Sequence, residues 1–185
     1  MLERLKKSLE DAPVVRFGEY HYFVHSITDG IPPADPEVLE EVVTSLLQMG
    51  NFECDKIVTA EAMGFPLAAL LSLRTGKPYV FLRKKRYGLP GEVSVRQVTG
   101  YSKGDLHVNF IRKGDRIVFV DDVVSTGGTL RAVVQALREV GAEIVDILIV
   151  FDKMENRNEL EKEIGLRIKT LLKVDVVHGK VIAVG

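Results

Sequence analysis

The segment from Val118 to Leu130, VFVDDVVSTGGTL, constrains the fold of this chain more than any other. Its apolar start predicts a fully buried parallel strand over 117–120, with Asp121 and Asp122 at the carboxyl end. A turn of small residues then opens a helix, so its backbone N–H groups lie at the positive end of the helix dipole. The turn consists of Ser125, Thr126, Gly127, Gly128 and Thr129.

This order of parts predicts a ligand that carries both a phosphate and a sugar. The turn would bind the phosphate, and the two acids would accept hydrogen bonds from a ribose cis-diol or hold a hydrated divalent cation. The alternative is an ordinary strand–turn–helix unit with a solvated pair of aspartates.

Composition limits the class of protein. The 185 residues fit one domain, and 46% hydrophobic with 28% charged residues is ordinary for a soluble globular chain. A net charge of −1 argues against a nucleic-acid partner, and no apolar stretch approaches the roughly 20 residues of a membrane span. The segment from Met1 to Asp11 is too charged for a signal peptide, and Cys54 is the single cysteine, so we expect a cytoplasmic protein without disulfides.

The order of strands and helices predicts an α/β fold, a parallel sheet with helices on both faces, in one domain over 1–185. Residues 1–55 would form an N-terminal region that contains a helix over 1–10 and a strand over 19–24. Residues 56–174 would form the core. We expect further helices over 36–49, 65–73, 129–140 and 156–164, and strands over 57–60, 79–82, 117–121, 144–151 and 166–174.

One insertion, over 84–110, breaks the alternation. Two alternating runs over 92–98 and 105–110 flank a glycine-containing turn, which predicts a long two-stranded flap that projects from the sheet. Insertions of this length in a compact domain are usually functional or disordered, and both ends lie at strand tips, so we interpret it as a flexible lid.

The DD–STGGT segment resembles the signature of the phosphoribosyltransferases, which use 5-phosphoribosyl 1-pyrophosphate (PRPP). The resemblance implies a type I phosphoribosyltransferase fold with a hairpin lid and a small N-terminal hood, and it implies a homodimer. It also implies that Asp121 and Asp122 bind the ribose hydroxyls and hold Mg²⁺ through water, while residues 125–129 hold the 5′-phosphate. Asp122 would in addition be catalytic.

A second segment, Glu61-Ala62-Met63-Gly64-Phe65, is similar to the E-[AS]-R-G-F loop of the adenine enzymes in this family. In the family this loop binds pyrophosphate and often contains a cis bond between two non-proline residues. Met63 replaces the arginine, so the resemblance supports backbone contacts at this position and no side-chain contact. An ordinary strand–helix turn is the alternative.

The basic run that begins at Arg83, RKKRYGLP, resembles the family's RK-x-x-K-L-P segment. The resemblance implies that Arg83, Lys84 and Lys85 bind pyrophosphate and that Arg83 is catalytic, whereas a solvated charge run is the alternative. Tyr101 lies in a segment similar to the family's E-Y-G-K, which implies a catalytic tyrosine that closes over the site. Gly100 replaces the glutamate of that pattern.

Lys153 favours one class of base. It follows the strand after the PRPP motif, where the 6-oxopurine branch of the family has a lysine that donates to O6 of the base; a surface lysine is the alternative. The segment at Ile27 loosely resembles the adenine enzymes' R-D-I, which implies a second contact with the base. An adenine-type scaffold with an oxopurine lysine is similar to the archaeal hypoxanthine/guanine phosphoribosyltransferases.

These patterns predict purine salvage, in which PRPP and hypoxanthine or guanine give IMP or GMP and pyrophosphate. Two alternatives stay open: an adenine phosphoribosyltransferase, and a PRPP-sensing regulator without catalysis. A regulator that binds DNA would need a reading module, and the first 55 residues show no helix-turn-helix pattern and no basic excess.

Overall fold

The computed structural model of the chain describes residues 2–18, 20–98 and 103–184. The helices in these ranges are α1 (Glu3–Leu9), α2 (Ser26–Asp29), α3 (Pro36–Met49), α4 (Gly64–Thr75), α5 (Gly128–Val140) and α6 (Arg157–Ile164). The strands are β1 (Val14–Phe17), β2 (Tyr20–Phe23), β3 (Lys56–Ala60), β4 (Tyr79–Leu82), β5 (Val93–Val98), β6 (Lys103–Val108), β7 (Arg116–Val124), β8 (Glu143–Asp152), β9 (Lys169–Val177) and β10 (Lys180–Val184). None of the described helices is long and apolar enough to cross a membrane.

The central sheet has the strand order β10-β9-β8-β7-β3-β4. All neighbouring strands are parallel except β10, which runs antiparallel to β9. From β3 the chain moves outward to β4 and later returns to place β7 on the other side of β3. The order of strands therefore reverses between β3 and β7, and ligands in such sheets bind beyond the carboxyl ends of the strands at this point.

Hydrophobic clusters cover both faces of the sheet. Val118 and Val120 of β7 belong to the cluster that contains the inner faces of α3 and α4. Ile117 and Phe119 point the other way, into the cluster that contains α5 and α6. This alternation along a strand that is buried on both faces confirms the predicted α/β fold with helices on both sides.

The acid pair does not end its strand, and that prediction was wrong. β7 continues through Asp121 and Asp122 to Val124, because β8 runs equally far and supplies backbone partners up to Asp152. The two carboxylates therefore lie inside the last part of a paired strand, and their backbone is held by the sheet.

Three further elements were not predicted. β1 pairs antiparallel with β2, with Val14 opposite Phe23, and the one-turn helix α2 follows them. β10 adds an antiparallel edge strand at the end of the chain. All three are five residues or shorter, so they carry too few residues for a clear hydrophobic period.

The predicted hairpin in the insertion is confirmed, since β5 pairs antiparallel with β6 from Val93–Val108 to Val98–Lys103. The prediction that the hairpin projects from the sheet was wrong for its described part, which packs against the core. Val95, Leu106 and Val108 are buried in the same cluster as α5, because the apolar positions of the two strands share one face. Tyr101 lies outside the described residues.

Candidate active site

A cleft lies at the carboxyl ends of β3 and β7, where the strand order reverses. Its walls are the loop 61–63, the acid pair Asp121 and Asp122, the turn 125–129, and the side chains of Tyr22, Thr28, Lys84 and Gln97. The sheet topology thus brings the two predicted loops and the predicted acids to one place.

The small-residue turn leaves the first N–H groups of α5 open to the cleft. Gly127 precedes the helix with φ +76°, and no side chain caps the helix. A Cβ at Gly127 would also lie 2.7 Å from Leu160 Cδ2, so the position requires glycine. Arg131 Nη1 donates to the carbonyl of Thr126 at 2.8 Å and braces the turn from outside. This arrangement is suited to an anion at a helix N-terminus.

Asp121 and Asp122 are buried, each with 8% of its surface exposed, and both line the cleft. Burial raises the pKa of Asp121 to about 6. Burial and the neighbouring charge of Asp121 raise the pKa of Asp122 well above its ordinary value, and Asp29 adds to this shift. A buried pair of like charges costs stability, and such pairs concentrate at functional sites.

The loop after β3 approaches the acid pair closely. Its Glu61–Ala62 peptide bond is cis, as the resemblance implied. Gly64 begins α4, and a Cβ built there would lie 1.8 Å from Thr59 Oγ1 and 2.9 Å from Asp121 Oδ1. Glu61 Oε2 accepts a hydrogen bond from the backbone N–H of Lys84 at 2.7 Å, which ties this loop to the start of the basic run.

The basic run divides between two surfaces. Lys84 lines the cleft, whereas Arg83 and Lys85 line a neighbouring surface pocket. The guanidinium of Arg83 lies 5.0 Å from the ring centre of Tyr87 and donates to Asn109 Oδ1 at 3.1 Å. Pyrophosphate binding by Arg83 and Lys85 stays a prediction that requires these side chains to turn toward the cleft.

The two predicted base contacts lie in different surroundings. Lys153 directly follows β8, its backbone N–H donates to Val124 O at 2.8 Å, and its ammonium donates to the carbonyl of His21. Ile27 is buried in the core cluster, while its neighbour Thr28 lines the cleft. The roles of both in base binding stay predictions.

Gln97 is a cleft residue that sequence reasoning missed. Its Nε2 donates to Thr129 Oγ1 at 2.7 Å, so it joins β5 to the phosphate turn. The strand alternation held the signal, because Gln97 shares the inward parity of Val95 on β5. Thr28 was missed because α2 was not expected. Tyr22 lies on the predicted strand 19–24, but nothing in the sequence indicated that this strand reaches the cleft.

His25 holds α2 beside the cleft. Its Nδ1 accepts from the backbone N–H of Ile27 at 3.1 Å, so in the neutral ring Nε2 carries the proton and donates to Ser8 Oγ, 2.9 Å away. Burial lowers the pKa of His25 to about 4, and the charge of Asp29 opposes this shift.

Acid is therefore expected to weaken the fold through His25. The unfolded chain binds the proton near the ordinary pKa of 6.5 and the folded chain only near 4, so stability falls as the pH drops through this window. The loss is roughly 3 kcal/mol at most. Urea unfolding at several pH values would measure it, and His25→Asn, which retains a cap acceptor, should remove this part of the slope. An identical slope in both proteins would contradict the assignment, since the acid pair contributes equally to both.

Comparisons with known proteins agree with this geometry. Residues 37–177 match the phosphoribosyl transferase domain. The chain is 52% identical over 179 residues to the hypoxanthine/guanine phosphoribosyltransferase of Methanocaldococcus jannaschii, which covers 96% of this chain and 98% of that one. It is 55% identical over 180 residues to the protein of the same name from Methanocaldococcus infernus, with 97% and 98% covered. The adenine phosphoribosyltransferase structure from Thermoanaerobacter pseudethanolicus shares the fold, with a TM-score of 0.77, 24% identity, and 94% and 99% covered.

Proposed function

The chain belongs to the phosphoribosyl transferase domain family, and we propose that it transfers the phosphoribosyl group of PRPP to hypoxanthine and guanine. The products are IMP or GMP and pyrophosphate. The observation that carries the proposal is the buried acid pair beside the uncapped N-terminus of α5 in one cleft. The names of the relatives supply the class of base.

Each wall of the cleft has a part in holding PRPP. Asp121 and Asp122 accept hydrogen bonds from the ribose hydroxyls, and the N–H groups and hydroxyls of the turn 125–129 hold the 5′-phosphate. The backbone of the loop 61–64, together with Lys84, binds the pyrophosphate on the opposite side.

The donor set fits Mg²⁺ held through water. In the described ranges no cluster of three or more His, Cys, Asp or Glu side chains could hold a metal ion, so a full protein cage is absent there. Two adjacent buried carboxylates suit Mg²⁺, which keeps several waters and takes its other ligands from substrate phosphates. When bound, the ion would neutralise charge on the departing pyrophosphate.

The reaction breaks the bond between C1′ and the pyrophosphate oxygen and forms a bond between C1′ and a ring nitrogen of the base, which loses its proton. Positive charge grows on the ribose and negative charge on the leaving group. Asp122 stabilises the ribose side, while Lys84 and the loop N–H groups stabilise the leaving group. Arg83 joins them once its side chain turns toward the cleft. Catalysis rests on position and electrostatics.

The direct test incubates the protein with PRPP, Mg²⁺ and one of four bases: hypoxanthine, guanine, xanthine or adenine. We expect nucleotide to form with hypoxanthine and guanine. Turnover of adenine alone would establish the adenine enzyme, and PRPP binding without any turnover would establish a regulator. A homodimer stays a prediction, which the mass of the protein in solution would test.

Lys153→Ala is expected to lower kcat/KM for hypoxanthine and guanine by at least about tenfold, since a charge-assisted hydrogen bond to O6 is worth about 1.5–3 kcal/mol. Discrimination against adenine should shrink at the same time, because adenine has an amino group in place of O6. Steady-state kinetics with each base would measure both effects. Lys162→Ala, at an exposed position of α6, is the matched control. Full activity of Lys153→Ala with hypoxanthine and guanine would show that Lys153 does not contact the base and is an ordinary surface lysine.

The hairpin is proposed as a lid over the cleft. In the empty protein we expect trypsin to cut first at Lys84, Lys85, Arg86, Arg96 or Lys103, and PRPP with Mg²⁺ to slow that cutting. Gln97→Ala should speed it, because the bond to Thr129 joins the hairpin to the turn. Mass spectrometry of the first fragments would locate the cuts. First cuts elsewhere, unchanged by ligand, would contradict the lid.

A further inference from the structure

Two hydroxyl groups in the cleft wall donate hydrogen bonds to one carboxylate, that of Asp29. Tyr22 Oη donates to Asp29 Oδ1 at 2.6 Å, and Thr28 Oγ1 donates to Asp29 Oδ2 at 2.6 Å. The longer contact of Thr28 Oγ1, 3.4 Å to the carbonyl of His25, is again a donation. Because its one proton already takes part in a hydrogen bond within the protein, each hydroxyl oxygen can only accept a hydrogen bond from a ligand.

From this we infer that Asp29 is a positioning residue that sets base specificity. Because both hydroxyls donate to Asp29, the oxygens of Tyr22 and Thr28 present only hydrogen-bond acceptors to the cleft. Such a wall selects purines that carry N–H donors at N1 and C2. Guanine has donors at both positions and hypoxanthine at N1. Xanthine has a carbonyl at C2, and adenine has an unprotonated N1, so both are disfavoured. The inference rests on the proposed function, and it adds a preference for guanine over xanthine.

The position of Lys153 agrees with this assignment. Its ammonium donates to the carbonyl of His21, the residue before Tyr22, so Lys153 lies beside the strand that carries one of the two hydroxyls. A cation for O6 beside acceptors for N1–H and the 2-amino group matches the edge of guanine. A base that puts a carbonyl against the acceptors leaves buried polar groups unpaired, which selects strongly against it.

α2 holds these groups in place. Thr28 is buried at 4% exposure, and the backbone N–H of His25 donates to Asp29 Oδ2 at 3.0 Å. Experiment can distinguish this role of Asp29 from a purely structural one. Damage to the packing of the N-terminal region, residues 1–55, would lower kcat/KM for every base alike.

The test compares kcat/KM for guanine and xanthine, with PRPP and Mg²⁺, in four proteins: the natural chain, Asp29→Asn, Thr28→Val and Asp35→Asn. In Asp29→Asn the amide nitrogen donates to a hydroxyl oxygen and frees that hydroxyl proton for the cleft. The guanine-to-xanthine ratio should therefore fall by at least about tenfold, and Thr28→Val, which removes one acceptor, should lower it several-fold. Asp35→Asn, the same substitution at the exposed N-cap of α3, should leave it unchanged.

Two results would overturn the inference while the proposed function stands: a natural chain that prefers xanthine to guanine, or a ratio that neither Asp29→Asn nor Thr28→Val changes. Absence of turnover with every oxopurine would instead overturn the proposed function. If Asp29→Asn fails to fold, which thermal unfolding would show, Thr28→Val decides alone.

Discussion

Asp122→Asn is expected to weaken PRPP binding by about a hundredfold, the worth of one or two hydrogen bonds to a charged group. The carboxylate of Asp122 accepts from ribose hydroxyls or faces the hydrated ion, and an amide can do neither as well. The folded protein should meanwhile be as stable as before or more stable. Asp122 is buried beside Asp121, and burial together with the like charge raises the pKa of Asp122. The ionised carboxylate therefore lowers the stability of the folded protein.

Calorimetry with PRPP and Mg²⁺ would measure the affinity, and urea unfolding would measure the stability. Asp175→Asn, at an exposed position of β9, is the control and should change neither. Affinity lost together with stability would indicate that Asp122 maintains the fold. PRPP binding like that of the natural chain in both Asp121→Asn and Asp122→Asn would remove the acid pair from the site.

The sequence predicted the parts of the fold that long periodic segments determine. The apolar runs of β3, β7 and β8 and the amphipathic helices α3 and α5 lie where the pattern placed them, because each buries a whole face. The acids and the STGGT turn were found because they lie next to each other in the chain. Residues that are adjacent in sequence keep their spacing in any fold.

The parts that could not be predicted depend on contacts between distant segments. The Asp29 network follows from a four-residue helix whose cap, His25, contacts Ser8 on α1. The bond between Gln97 and Thr129 requires the hairpin to lie on α5. The end of β7 depends on how far β8 continues beside it. Local propensity carries no information on such pairings, since tertiary packing decides them.

Gly64→Ala is expected to reduce activity by about a hundredfold, the usual result of moving reacting groups by about 1 Å. The new Cβ would lie 1.8 Å from Thr59 Oγ1 and 2.9 Å from Asp121 Oδ1, so α4 and its loop must shift or the acid must turn away. Since β3 and β7 are held by their neighbours in the sheet, the loop 61–63 is the part that yields. Overpacking of this kind should also cost about 1–3 kcal/mol of stability.

The closest partner in this clash is the hydroxyl of Thr59, which provides the control. Thr59 Oγ1 is buried and has no hydrogen-bond partner among the described residues, so Thr59→Ala alone should cost little. Without that oxygen, the nearest atom of residue 59 to the new Cβ is the Thr59 Cβ at 3.1 Å, a tight distance that small shifts can relieve. The contact of 2.9 Å with Asp121 Oδ1 remains, so the double variant Gly64→Ala/Thr59→Ala should recover part of the stability and part of the activity. The two effects should therefore be far from additive. Additive effects in unfolding and in kcat/KM would mean that Gly64 serves the loop backbone, and not the contact between β3, α4 and Asp121.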